Sequence, residues 1–196
     1  KLEDYTIGDT LFMEFHGSKT GVEEQAEAVQ AIAAEFGAGD FKWAAKPEDR
    51  NKLWEARHNA HYAILATAQP DQHSMATDVC VPVSRLAECI LATKEDIEQC
   101  GLISPFVGHA GDGNFHMSII ANYDDEAENK LAHDVHDRLV HRALAMEGTC
   151  TGEHGVGSGK IDYLEDELGG AVDVMRAVKQ ALDPDNIMNP GKILRL

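Results

Sequence analysis

The stretch Gly108-His109-Ala110-Gly111-Asp112-Gly113-Asn114-Phe115-His116 decides the fold around it. Apolar residues precede it at Phe106 and Val107, and others follow it at Met117 and Ile119. Two apolar runs that flank a glycine-rich segment are typical of an antiparallel hairpin, because glycine tolerates the φ values of a tight turn. The sequence therefore predicts strand, turn and strand.

Two histidines of this hairpin are candidate metal ligands. Antiparallel pairing predicts that His109 and His116 lie roughly opposite each other, about 5 Å apart at Cβ. Imidazole nitrogens at that spacing can bind one ion at about 2.1 Å each. Alternation along the second strand also places Asn114, His116 and Ser118 on one face of the sheet.

A second glycine-rich segment, Gly152-Glu153-His154-Gly155-Val156-Gly157, supplies a carboxylate. Glu153 is the candidate third ligand. Two histidines and one carboxylate leave coordination positions open, as in a catalytic metal centre rather than a structural one. Such a set suits zinc, manganese or iron(II).

The composition limits the classes of function. The chain has 196 residues and a formal net charge of −17, which argues against binding nucleic acid or an anionic membrane through a basic face. No apolar run approaches the 18 or more residues of a transmembrane helix. Four cysteines without C-x-x-C spacing indicate reduced thiols in a reducing compartment.

The ends of the chain lead to two further expectations. No signal or transit segment opens it, so we expect the cytoplasm, or the mitochondrion if the source is eukaryotic. Because it starts at Lys1 rather than Met, we expect a piece of a longer protein.

Periodicity and capping residues predict the remaining elements. Thr20 begins a capping box, Ser84 is a predicted N-cap, and Gly169-Gly170 interrupts the last helix. Three histidines of the longest helix, His133, His136 and His141, are expected on its solvated face. The predicted strands outside the hairpin are 10–16, 41–45 and 76–83, the predicted helices are 20–36, 47–64, 85–99, 126–147 and 162–182, and 69–74 is a predicted loop.

This order of elements predicts an α+β fold, with an antiparallel sheet, helices packed on one face and ferredoxin-like units. No linker is long enough to require two independent domains. We therefore expect one domain over residues 1–196.

Three motifs in this order resemble the C-terminal domain of FAD-linked oxidases in the vanillyl-alcohol oxidase superfamily. They are the two glycine-rich segments and Asp183-Pro184-x-x-x-Met188-Asn189-Pro190-Gly191-Lys192. The stretch Thr77-Asp78-Val79-Cys80-Val81-Pro82-Val83-Ser84-Arg85-Leu86 is more similar to the D-lactate dehydrogenase (cytochrome) and glycolate oxidase branch than to D-2-hydroxyglutarate dehydrogenase. The resemblance covers nearly the whole chain.

The resemblance implies oxidation of a small D-2-hydroxy acid, such as D-lactate, to a 2-oxo acid, with hydride passing to FAD. In this family a separate N-terminal domain holds most of the FAD, and nothing here resembles it, so we expect this chain alone to be inactive. The resemblance assigns His109, His116 and Glu153 to a divalent metal, Zn, Mn or Fe. It leaves the electron acceptor unknown and homo-oligomerisation open.

The resemblance also suggests roles for other side chains. His154 is the candidate general base, since an imidazole has a pKa near neutral. Arg57 is the candidate partner of the substrate carboxylate, with an ordinary helix-surface ion pair as the alternative. Asn114, Asn189 and Lys192 are candidate flavin neighbours.

Neighbouring side chains of an extended segment point to opposite sides, which constrains Glu153 and His154. Both serve one site only if the backbone turns sharply at Gly152 and Gly155, or if His154 reaches the substrate from another direction. We predict the second arrangement, with Glu153 on the metal and His154 off it.

One departure from the family bears on substrate choice. Relatives that take a dicarboxylate carry a lysine around the position of Ala76, and the neutral Ala76 favours a monocarboxylate such as lactate or glycolate. Two other interpretations stay open. One is a stand-alone metal-binding or assembly module that docks on a separate flavoprotein, and the other is a metal hydrolase, which gives the Asn-Pro-Gly-Lys tail no role.

Overall fold

The computed structural model describes residues 8–39 and 41–196 and divides the chain into two compact units. The first unit ends at Ala63 and the second is Ile64–Leu196. The first contains α1 (Lys19–Glu35) and α2 (Pro47–His58), and α3 (Ala60–Leu65) crosses the boundary between the units. That all 196 residues form one domain stays a prediction.

Several boundaries in the first unit differ from those predicted. Ser18, not Thr20, caps α1, because its hydroxyl accepts the Gly21 N–H at 3.2 Å. The predicted helix 47–64 is two helices separated at Asn59. The predicted strands 10–16 and 41–45 are wrong: neither pairs with another described strand, and an unpaired strand is not stable in water.

The sheet of the second unit is built around β4 (Asn114–Ala121). On one side β4 pairs with β3 (Phe106–His109), which completes the predicted hairpin. On the other side it pairs first with β1 (His73–Ala76) and then with β2 (Val79–Cys80). All these pairings are antiparallel.

The connectivity of this sheet is ferredoxin-like, as predicted. A helix follows β2, the β3–β4 hairpin comes next, and a second helix leads to Thr149, which forms an antiparallel bridge with Cys80. This is the order β-α-β-β-α-β, with β1 and β2 acting as one interrupted strand.

The interruption falls at Thr77-Asp78, inside the predicted strand 76–83. Thr77 still pairs with Met117, but its side-chain hydroxyl accepts the Met117 N–H at 2.9 Å in place of a backbone carbonyl. The predicted loop 69–74 is also too long, because β1 begins at His73. The strand pairing with β4 is therefore interrupted at Asp78 and resumes at Val79.

The four helices of the second unit follow the predicted order. They are α4 (Leu86–Cys100), α5 (Glu126–Ala145), α6 (Ile161–Leu168) and α7 (Ala171–Leu182). The predicted break at Gly169-Gly170 separates α6 from α7. Ser84 does not cap a helix, because it lies within a 3-10 turn, Val83–Arg85, that precedes α4.

The core lies between one face of the sheet and helices α4 and α5. Phe115, Met117 and Ile119 of β4 are fully or almost fully buried against apolar residues of these helices, among them Cys89, Ile97, Val135, Leu139 and Val140. Because side chains alternate along a strand, Asn114, His116 and Ser118 lie on the other face. The prediction of helices on one face is confirmed.

In the part of the chain that the structure describes, no helix combines the length and the apolar character needed to cross a membrane.

Candidate metal and substrate site

The hairpin places two histidines on the face of the sheet opposite the core formed with α4 and α5. His109 pairs with Asn114, and His116 pairs with Val107. The histidines, which were predicted to lie roughly opposite each other, are therefore diagonal neighbours on the two strands. Diagonal side chains still come within reach of each other, and the two ring centroids are 6.3 Å apart.

Glu153 joins the two histidines from the loop after Thr149. Its Oε1 lies 2.8 Å from His116 Nε2 and 3.9 Å from His109 Nε2. One donor atom from each of the three residues lies within 4.8 Å of the others. The predicted convergence of the donors is present, and the binding of an ion by them stays a prediction.

The environment of His116 fits a cation at this position. Its Nδ1 lies 3.0 Å from the carbonyl oxygen of Thr77, and a carbonyl can only accept, so Nδ1 carries the hydrogen. The buried Nε2 has no other hydrogen-bond partner and faces Glu153 Oε1 at 2.8 Å. A positive charge at this contact, carried by a proton on Nε2 or by a bound cation, balances the carboxylate.

Asp78 lies behind this cluster and was not predicted as a site residue. Its buried carboxylate accepts the backbone N–H groups of Gly152, Glu153 and His154 at 3.0–3.2 Å. Burial opposes ionisation of Asp78, but hydrogen bonds from the His154 N–H, the Thr151 hydroxyl and the Asn114 amide outweigh it. The pKa of the carboxyl consequently lies far below its usual range.

The sequence did contain a signal for Asp78. A carboxylate within an apolar strand has to be paired or hydrogen-bonded if it is buried, and Asp78 directly precedes Val79 in such a strand. Sequence reasoning also missed Lys160, whose Nζ lies 2.7 Å from the Asp78 carbonyl oxygen and 3.3 Å from its carboxylate.

The loop that carries Glu153 and His154 bends around Asp78, whose carboxylate accepts the backbone N–H groups of Gly152 and His154. The turn brings His154 Nε2 to 3.6 Å from Glu153 Oε1. It also creates a second set of donors, Asp78, His116 and His154, within 4.8 Å of one another. Whether His154 acts as a base or a ligand therefore stays a prediction.

Glycine is required at position 152 by this close approach. A Cβ there would lie 1.9 Å from Asn114 Nδ2 and 3.0 Å from Asp78 Oδ1. The glycine of the predicted motif thus permits contact between the loop and the sheet.

The three candidate flavin neighbours lie in different surroundings. The Asn114 amide donates to Asp78 Oδ1 at 2.9 Å and to the Val79 carbonyl at 3.0 Å, and its own oxygen is buried without a partner. Lys192 Nζ lies 3.4 Å from Ser158 Oγ, beside the glycine-rich loop. Asn189 is exposed, with a positive φ of 48°. A flavin contact of these residues stays a prediction.

Two other residues named from the sequence, Ala76 and Arg57, belong to different units of the chain. Ala76 ends β1 and pairs with Ser118, so its exposed side chain lies on the same face as His116. Arg57 lies in the last turn of α2, in the first unit, whereas the remaining site residues belong to the second. Its role towards the substrate stays a prediction.

The family follows from a match to known sequences. Residues 4–193 match the model of the C-terminal domain of FAD-linked oxidases, and the chain belongs to this family of flavin-linked oxidoreductases. A solved structure shows the same fold: 4-ethylphenol oxidase from Gulosibacter chungangensis, in complex with isoeugenol, matches with a TM-score of 0.61 at 17% identity, over 91% of this chain and 37% of that chain.

Within this family, the chain is similar to D-lactate dehydrogenases and to a glycolate oxidase subunit. The chain is 48% identical over 193 residues to "Probable D-lactate dehydrogenase, mitochondrial" of Danio rerio, covering 98% of this chain and 39% of the relative. It is 44% identical to the mitochondrial D-lactate dehydrogenase (cytochrome) of Arabidopsis thaliana, over 98% of this chain and 34% of the relative. It is 35% identical to glycolate oxidase subunit GlcD of Bacillus subtilis (strain 168), over 93% of this chain and 38% of that subunit. The chain thus spans less than two fifths of the length of these relatives.

Proposed function

We propose that this chain is the C-terminal, substrate-binding part of a flavin-dependent dehydrogenase that oxidises a small D-2-hydroxy acid to a 2-oxo acid. The observation that carries the proposal is the convergence of donor atoms of His109, His116 and Glu153 within 4.8 Å of one another. Relatives named for D-lactate and for glycolate support a short 2-hydroxy acid as the substrate. The mitochondrial names support that compartment if the source is eukaryotic.

His109, His116 and Glu153 would hold a divalent metal. When bound, such an ion supplies Lewis acidity, which lowers the pKa of an alcohol oxygen beside it. FAD, held mainly outside this chain, supplies the hydride acceptor. Since the residues belong to a family of FAD-linked oxidases, oxidation is favoured over metal-dependent hydrolysis or a purely structural metal module.

The other side chains of the site would move the proton and orient the substrate. His154 is largely exposed, and its Nε2 faces the cluster, where it can accept the hydroxyl proton of a bound acid. Arg57 would bind the substrate carboxylate through its guanidinium fork. Asn114, Asn189 and Lys192 would lie beside the flavin.

Ala76 provides a test of substrate class. We expect the intact protein to have a higher kcat/KM for D-lactate than for D-malate or D-2-hydroxyglutarate, because the neutral Ala76 offers a second carboxylate no partner. Ala76→Lys should raise the ratio of kcat/KM for D-2-hydroxyglutarate over D-lactate about 10-fold, the effect of about 1.4 kcal/mol.

The matched control is His73→Lys, which adds the same charge at an exposed position three residues earlier on β1. It should leave the ratio unchanged. A wild-type preference for a dicarboxylate would contradict the proposed substrate class, and failure to reduce flavin with any short 2-hydroxy acid would contradict the proposed reaction.

A further inference from the structure

Three successive backbone N–H groups point at one carboxylate in the interior of the second unit. The N–H groups of Gly152 and His154 lie 3.0 Å from Asp78 Oδ2, and that of Glu153 lies 3.2 Å from both Asp78 oxygens. Backbone N–H groups that converge in this way form a concave anion site, and here the anion is part of the protein. The bend of the loop is therefore centred on Asp78.

Side chains fill the remaining positions around this carboxylate. The Asn114 amide donates to Oδ1 at 2.9 Å, the Thr151 hydroxyl donates to Oδ2 at 2.8 Å, and Lys160 Nζ lies 3.3 Å from Oδ2. A carboxylate has about four lone-pair positions, and more donors than that are already present. Asp78 thus has no lone pair left for a metal ion, although one of its oxygens lies within 4.8 Å of nitrogens of His116 and His154.

The same two-residue interruption of the strand also fixes a histidine ligand. The carbonyl oxygen of Thr77 accepts a hydrogen bond from the Nδ1–H of His116. This hydrogen bond orients the ring so that Nε2 points towards Glu153. Thr77 thus orients one candidate ligand through its carbonyl, while Asp78 orients the loop that carries another. Both effects arise from the segment between β1 and β2.

We propose that Asp78 is a positioning residue that holds the loop 151–154 against β4, so that Glu153 and His154 face His116 before any ligand binds. The consequence for metal binding rests on the proposed function. The consequence for the loop itself does not, and it can be measured separately.

The loop is tested by hydrogen exchange in the intact protein. Asp78→Asn preserves the size of the side chain but replaces an acceptor oxygen with an NH₂ group that faces the backbone donors. We expect the peptide that contains residues 151–155 to exchange at least about 10-fold faster, because its N–H groups lose their acceptor. A peptide from α4 should be unchanged.

Metal affinity is tested with Zn²⁺ alone, in competition with a chromophoric chelator. Loss of a group that orients metal ligands costs about 10–100-fold in affinity, so the Kd of Asp78→Asn should rise by that factor while one ion still binds at saturation. At saturating Zn²⁺ a large part of kcat should return, which a simple loss of folded protein would not allow.

The matched control is Asp96→Asn. Asp96 is also a largely buried carboxylate, held by Arg138 and Arg142, but it lies on α4 and away from the cluster. It should lower the melting temperature without changing the Kd for Zn²⁺ or the exchange of residues 151–155. If Asp78→Asn fails to fold, Thr151→Val serves as the second variant, because it removes one hydrogen-bond donor to Asp78. Residues 151–155 of that variant should also exchange faster than in the wild type, by a smaller factor.

The outcomes separate this proposal from the proposed function. Wild-type exchange of residues 151–155 in the folded Asp78 variant, or in Thr151→Val if the first does not fold, overturns the positioning role. An Asp78 variant that takes up no Zn²⁺ at any concentration, as expected for Glu153→Ala, also overturns it and makes Asp78 a ligand. If the wild type binds no Zn²⁺, the proposed metal is wrong, while faster exchange in the variant still supports the positioning of the loop.

Discussion

His116 owes its chemistry to a single hydrogen bond. The Thr77 carbonyl oxygen accepts a hydrogen bond from the Nδ1–H of His116, so Nε2 of the ring is directed at Glu153 Oε1. Only 15% of the His116 side chain is exposed, against 50% for His109, and its orientation is therefore the more firmly fixed of the two. His116 is for this reason the central candidate ligand.

Glu153 and His154 should behave differently when each is removed from the intact protein. Glu153→Ala should lose metal and activity together, because it removes a ligand. His154→Ala should keep the metal while kcat falls by roughly 10²–10⁴-fold, the usual contribution of a general base. Metal content, measured beside single-turnover reduction of the flavin, distinguishes the two.

The control for these variants is His133→Ala, which removes an exposed histidine of α5. It should change neither quantity. If His154→Ala loses the metal as fully as Glu153→Ala, His154 is a ligand, and the base is another group.

At the scale of elements, the glycine-rich segments act through close contact between backbone and side chains. The hairpin turn needs Gly113, which has a φ of 78° and leaves no room for a Cβ beside the Val81 carbonyl. Gly152 has an ordinary φ, and its role is the contact with Asn114 and Asp78. The two glycines thus serve two different requirements that look alike in the sequence.

Gly152→Ala should separate the loop from the sheet. The added Cβ would overlap Asn114 Nδ2 at 1.9 Å, so either the loop or the asparagine has to move. We expect a loss of about 1–3 kcal/mol in the free energy of unfolding, typical of overpacking, together with weaker metal binding. Urea denaturation and metal titration measure the two effects.

Gly159→Ala is the matched control, because a Cβ at Gly159 meets no atom within 4 Å and its φ is not positive. It should leave both quantities near the wild-type values. Equal effects of the two alanines would show that the contact with Asn114 and Asp78 does not matter.

At the scale of the whole molecule, the two faces of the sheet in the second unit have different roles: one forms the core and the other carries the candidate site. The face that forms the core is apolar and packs on α4 and α5, and the face that carries the site is polar. The histidines of α5 belong to the supporting side. His133 and His141 are exposed as predicted, but His136 is half-buried near Tyr163, so the expectation of a solvated His136 is wrong.

His136 should make the stability of the fold depend on pH. Its burial, together with the charge of Lys160, lowers its pKa from 6.5 to about 4. Between these values the unfolded chain binds a proton that the folded chain does not, so stability falls as the pH drops from about 6.5 towards 4. At pH 4.5 this costs on the order of 2 kcal/mol relative to pH 7.

His136→Gln should remove that part of the pH dependence. The difference in unfolding free energy between pH 7 and pH 4.5, measured in urea, should be smaller than in the wild type by on the order of 2 kcal/mol. His133→Gln, on the same helix but exposed, should keep the wild-type difference. An unchanged difference in His136→Gln would contradict the lowered pKa.

The sequence by itself determined the hairpin and the order of helices and strands in the second unit, while its resemblance to a known family pointed to His109, His116 and Glu153 as one set. The hairpin and the order of elements depend on local patterns: alternation along a strand, helical periodicity and glycine at turns. The same local patterns failed at 10–16 and 41–45, because a strand exists only where another strand pairs with it.

Only the tertiary structure decided the surroundings of these ligands. Asp78 is held by groups that lie 36 to 82 residues away in the chain, from Asn114 to Lys160, and no local pattern connects them. The proton of His116 is likewise placed by Thr77, 39 residues earlier. The ligand types are a property of the sequence, whereas their orientation and charge state depend on contacts that form only when distant segments pack together.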